Sequence, residues 1–121
     1  MNMVSISTRD GRTEFSPGDR VELEAEWQLV ELPRAVDIRL VWYTRGKGSQ
    51  DVEVVERLAF ADPKQAEARP FAIQAPLEPY SFSGKLISLI WALELVLQPG
   101  KESTRLELTI APNKEEIVLK P

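Results

Sequence analysis

The chain contains no cysteine and no histidine. Without cysteine there is no disulfide framework, no thiolate nucleophile and no cysteine-based zinc site. Without histidine the commonest general base near neutral pH and the commonest transition-metal ligand are missing, so most hydrolase and metalloenzyme templates fall. There is no excess of positive charge either: 15 basic against 19 acidic residues give a formal net charge of −4, which offers no general attraction to phosphate backbones or anionic lipid. The expectations are therefore no nucleic acid, no direct membrane insertion and no cofactor. The amino-terminal MNMVSISTRDGR lacks a basic region followed by an apolar one, and no apolar stretch reaches the ~20 residues a spanning helix needs. A cytoplasmic protein is the default expectation.

What is present is an ordinary globular composition, 43% hydrophobic and 28% charged, far from the disordered regime. Residues 1–121 are read as a single domain, since domains commonly run to ~100–200 residues.

The dominant period is two, with turn signals roughly every ten residues, the pattern of an all-β sandwich. Met3 to Ser7 forms a weak first edge strand, and Asp10-Gly11 and Pro17-Gly18 punctuate the segment that follows. Val21, Leu23, Ala25, Trp27 and Leu29 then share one face, opposed by Glu22, Glu24, Glu26 and Gln28. Val36, Ile38, Leu40, Trp42 and Thr44 make a second inward row against Asp37, Arg39, Val41, Tyr43 and Arg45. Gly46-Lys47-Gly48-Ser49 turns the chain into a row of Val52, Val54, Leu58 and Phe60, and the doubled Val54-Val55 marks a β-bulge. Asp62 to Ala68 reads as a loop or one helical turn. Phe71, Ile73 and Ala75 form a short inward row closed by Pro76 and Pro79. Ile87, Leu89, Trp91, Leu93, Leu95 and Leu97 face inward on a central strand whose other face, Leu86 to Val96, is also largely apolar. Pro99-Gly100 leads into Leu106, Leu108 and Ile110, and Ile117 to Leu119 either adds a short edge piece or hangs free.

Few residues point to chemistry. Glu22, Glu24 and Glu26 stand ~6.5–7 Å apart along a strand, a spacing compatible with calcium or with paired-carboxylate glycoside chemistry. It is equally that of a solvated face whose charges discourage aggregation. Ser81, Ser83 and Ser88 would need Lys85 as base, and no nucleophile elbow accompanies them. Gly46-Lys47-Gly48 lacks the following helix of a phosphate loop and reads as a hairpin turn. No enzymatic activity is expected. Trp27, Trp42 and Trp91 share the inward phase of their strands, which assigns them to the core rather than to stacking on sugars. Tyr43 and Tyr80 remain available for a surface role.

Three segments carry a family resemblance. FSPGDRV, Phe15 to Val21, resembles the arrestin amino-domain turn in which an aromatic, a Pro-Gly pair and an acid precede a strand. FAIQAPLEPYSFSGKLISLIWALELVL, Phe71 to Leu97, resembles that family's later strand, Pro-containing turn and Trp-centred strand. TRGKGSQDVEVV, Thr44 to Val55, is similar to a hairpin of bacterial and retromer-like relatives. The resemblance implies a single immunoglobulin-like or arrestin-like antiparallel β-sandwich of about seven or eight strands. It also implies a non-catalytic protein-interaction scaffold or adaptor, whose partner is another protein or a second copy of the chain. Arrestins have two such domains; this chain has room for one, and it shows no carboxyl-domain motif and no buried polar core, so receptor or phosphate sensing is not carried over. The candidate interaction face is the outward set Arg39, Val41, Tyr43, Arg45, Leu86 and Ile90, an apolar centre with a polar rim. A carbohydrate- or other ligand-binding sandwich is the alternative, and solvent-facing aromatics beside a groove would favour it.

Overall fold

Alternation of side chains across a strand makes two-sided segments, and these bury their apolar rows by stacking as two sheets. The computed structural model describes residues 2–46, 50–84, 86–98, 102–114 and 117–118. A small sheet holds β1 (Met3–Thr8), β3 (Arg20–Gln28) and β6 (Ala66–Gln74) in the order β1-β3-β6. A large sheet runs β5 (Val52–Ala59), β4 (Ala35–Gly46), β8 (Ile87–Gln98). The far edge of β8 is shared by β7 (Phe82–Ser83) and β9 (Ser103–Ile110), with β10 (Ile117–Val118) beyond β7 and β2 (Glu14–Phe15) beyond β9. β2 and β10 join in parallel and the remaining pairs are antiparallel. The fold is an all-β sandwich, and its inner rows are those the alternation specifies.

Trp27, Trp91, Phe15, Leu23, Ile38, Leu40, Leu93, Leu95 and Ile110 fill the space between the sheets, and Trp42 packs against them half-buried. Both buried indoles are hydrogen-bonded, as polar atoms in a core must be: Trp27 Nε1 donates to the Lys64 carbonyl at 2.8 Å and Trp91 Nε1 to the Pro79 carbonyl at 2.8 Å. The turn Ser16-Pro17-Gly18-Asp19 is closed by the Asp19 amide donating to the Ser16 carbonyl at 3.1 Å, with Gly18 at φ 86°. That is the positive φ a type II turn demands after proline.

The described residues form ten strands, against the seven or eight expected, because short pieces such as β2, β7 and β10 add to the edges, two of them in parallel. The structure departs from the sequence reading in two further places. β6 begins at Ala66, so Asp62 to Ala68 is only partly loop. Glu67 and Arg69 occupy inward positions opposite Trp27 and Ala25, where apolar residues would be expected. They are tolerated because β6 is the edge strand of its sheet and both side chains keep part of their surface in water. Arg69 lays its guanidinium over the Phe60 ring, 5.4 Å from its centre, bonds Glu67 at 2.5 Å and donates to the Ala61 carbonyl at 2.7 Å. The second departure is in β5. Leu40 pairs with Glu56 but Val41 with Val54, which leaves Val55 as the extra residue of a bulge. The bulge forms where the doubled valine marks it. It also reverses the phase, so Val52 and Val54 stand on the outer face beside Tyr43 and Val41 while Leu58 stays inward beside Ile38. The turns at 47–49 and 99–100, Lys85 and Leu119 lie outside the described residues.

Candidate functional site

The outer face of the large sheet is built in rows that cross its strands. Register places Val54, Val41, Ala92 and Glu107 in one row, Val52, Tyr43 and Ile90 in the next, and Arg57, Arg39, Glu94 and Arg105 on the other side. Val41, Tyr43 and Ala92 form a second buried cluster, distinct from the main core, with Ile90 packed against it. Of the six residues the sequence nominates, Val41 is 1% exposed and Tyr43 9%; Arg39 and Ile90 are intermediate, Arg45 is exposed and Leu86 is 63% exposed. The face brings Arg39, Val41, Tyr43, Arg45 and Ile90 together. Leu86 sits past its end, where its carbonyl lies so close to Gly46 that a side chain at that position would collide with it.

Neighbouring side chains explain why an outward tyrosine is covered. Arg105 lies over the Tyr43 ring 4.8 Å from its centre, and Arg45 at 5.7 Å. Such guanidinium–ring contacts are attractive and flatten the cation onto the aromatic face. The Tyr43 hydroxyl donates to Glu107 Oε2 at 3.2 Å and accepts from Arg45 Nη2 at 3.1 Å, with Arg45 and Glu107 3.4 Å apart. Glu94 holds Arg105 through Nε at 3.2 Å and Nη2 at 2.5 Å, and this hydrogen bonding raises the Arg105 pKa. The result is a fixed apolar floor with a polar network over its β9 side.

The sequence reading left out Val52 and Val54. They extend the Val41–Tyr43 floor to the sheet edge and are 66% and 37% exposed. The signal was the Val54-Val55 doubling itself: a bulge puts the residues on either side of it out of phase, so these valines could not share a face with Leu58.

Of the other candidates, Glu22 and Ser81 make contacts within the fold. Glu22, Glu24 and Glu26 line the outer face of β3, with Glu22 3.8 Å from Arg9 and 3.7 Å from Arg20. Among the described residues no group of three or more acidic side chains is placed to hold a metal ion. Ser81 is buried: its Oγ accepts from the Ile110 amide at 2.9 Å and its own amide donates to the Ile110 carbonyl at 2.7 Å. It staples β9 to the segment preceding β7. An open cleft of about 500 Å³ lies between Arg9, Asp10, Arg12, Phe15, Arg20 and Glu22, where Arg12 holds Asp10 at 2.8 Å and covers Phe15. Of the aromatics in the described residues, Tyr80 alone is exposed. No described helix is long and apolar enough to cross a membrane.

Comparison with solved structures identifies the architecture. Spo0M, a sporulation control protein from Bacillus subtilis, superposes with a TM-score of 0.65 at 16% identity over 91% of this chain. The fold is an arrestin-like β-sandwich. This chain spans 49% of the Spo0M chain. A β-glucosidase from Listeria innocua matches over 96% of this chain and 16% of its own, at 10% identity and a TM-score of 0.42, too distant to bear on function. No family model matches the chain, and neither does any curated protein sequence.

Proposed function

We propose that this chain is a non-catalytic protein-interaction module of the cytoplasm that docks a partner through the outer face of its large sheet. The observation that carries the reading is the continuity of the Val41–Tyr43–Ala92–Ile90 floor with the exposed Val52 and Val54. An apolar centre held rigid beneath a rim of arginines has the composition of a protein interface, in which aromatic residues and arginine are enriched. Rigidity matters because side chains already immobilised lose little entropy on binding. The lack of histidine and cysteine, together with the structural role of Ser81, supports a binding rather than a catalytic task. The carbohydrate-binding alternative finds no support in this face, where the one aromatic, Tyr43, is covered by arginines.

The test is a pair of charge insertions on the exposed part of the face. Val52→Asp with Val54→Asp should eliminate both concentration-dependent sedimentation and capture of partners by the purified chain, with the β circular dichroism spectrum retained. Equal behaviour of parent and double variant would remove this face from the function.

A further inference from the structure

The row Arg57, Arg39, Glu94, Arg105 crosses four adjacent strands of the outer face, each residue directly opposite the next. Its charges do not balance. Glu94 accepts two hydrogen bonds from Arg105 on Oε2, and no carboxylate stands within ion-pair distance of Arg39 or Arg57 among the described residues. Asp37, on the same face two residues before Arg39, makes no such contact either. Arg39 and Arg57 therefore face each other as a like-charged cross-strand pair, an arrangement that is destabilising in itself. The Arg39 Nε–H is in addition buried without any hydrogen-bond acceptor, and buried donors in folded proteins are nearly always satisfied. Two independent deficits, one of charge and one of hydrogen bonding, meet at the same pair of side chains.

We propose that the Arg39–Arg57 pair is the docking point for a carboxylate of the partner, so that the partner is a protein segment bearing an acidic side chain between apolar ones. This rests on the docking reading above and names the chemistry of the occupant. Planar guanidinium forks accept carboxylates bidentately, and a carboxylate placed between two arginines relieves their repulsion. Val54 and Val41 lie in the next row along the strands, so an extended segment that sets its acid on the arginines sets an aliphatic residue two positions away on the valine floor. The whole chain carries a net charge of −4, against which this row stands as a local excess of positive charge.

The experiment is titration of the isotopically labelled full chain with a short capped Val-Thr-Glu-Thr-Val peptide, whose glutamate and valines share one face of an extended segment, and with its glutamine counterpart. The expected result is selective movement of the Arg39 and Arg57 Nε–Hε resonances by the glutamate peptide only. Arg39→Gln with Arg57→Gln should weaken that binding about 10-fold or more, the loss of one charge-assisted contact. Arg57→Glu should abolish it while the urea midpoint stays at or above that of the parent, because the like-charged pair is replaced by an opposite one; this keeps loss of binding apart from loss of folding. The proposal is overturned if the glutamate peptide does not bind, if binding survives the double variant, or if the shifts map to Arg9, Arg12 and Arg20 instead. If Val52→Asp with Val54→Asp disrupts partner capture while the arginine variants leave capture unchanged, the docking face stands and the acidic partner is wrong.

Discussion

Replacing Trp91 by alanine probes the main core of the sandwich. Trp91 is fully buried, stands opposite Trp42 on β4 and Leu108 on β9, and spends its indole N–H on the Pro79 carbonyl. Truncation opens a cavity bounded by both neighbouring strands, whose ladders hold them in place and limit collapse into the gap. Large aromatic-to-alanine changes at such sites cost ~3–5 kcal/mol, and the orphaned Pro79 carbonyl puts this one toward the upper part of that range. Against a total stability of ~5–15 kcal/mol for a domain, the loss is a large fraction. With a urea slope of ~1–3 kcal/mol per molar, the midpoint should fall by roughly 1.5 M or more. Trp91→Phe separates the contributions: it keeps most of the volume, loses the hydrogen bond and should fall in between. Equilibrium urea unfolding followed by circular dichroism reads all three. A midpoint for Trp91→Ala equal to that of the parent would mean that the tryptophan is not a core residue, and the assignment of every inward row in β8 would fail with it.

Gly18→Val should destabilise the chain by more than ~1 kcal/mol. A side chain there would meet only Leu77 Cδ2 at an ordinary 3.6 Å, so the cost is conformational and Gly18→Asn should restore part of it; equal losses for both variants would point to packing instead. Glu67 supplies a pH dependence. Its carboxyl is held below the ordinary value of 4.5, first by the Lys64 amide and then by Arg69. The unfolded chain thus takes up this proton first as pH falls, so the stability Glu67 contributes is complete above 4.5 and is lost as pH drops through the lower folded-state value. Glu67→Gln should flatten this part of the acid limb in urea titrations across that range; an unchanged limb would show that Glu67 does not carry it.

The inward rows of β3, β4, β8 and β9 were legible because each strand there presents one face to a single continuous core, and the period of two survives intact from end to end. Legibility failed where that condition failed. The first half of β6 carries Glu67 and Arg69 in inward positions, since on this edge strand an arginine stem over Phe60 replaces an aliphatic side chain. In β5 the bulge at Val55 was readable and with it the reversal of phase, but that Val52 and Val54 extend the floor of Val41 and Tyr43 follows only once the pairing with β4 is known. The outer face was legible as a set of residues and not as a surface. Tyr43 is outward by alternation, as the sequence says, yet the arginine that covers it most closely, Arg105, lies 62 positions further along the chain on β9. Cross-strand neighbours of this kind are a property of strand order, which alternation within one strand does not contain.

The most direct test of the central claim is site-specific photocross-linking in the native cell, with a benzophenone side chain placed at Val54 on the outer face of the large sheet or at Glu24 on the outer face of the small one. Both positions are exposed and both lie on strands, so they differ chiefly in the face they report. The account predicts a discrete protein adduct from Val54 that is absent from Glu24. An adduct from Glu24 and none from Val54 would contradict it, and so would adducts from neither.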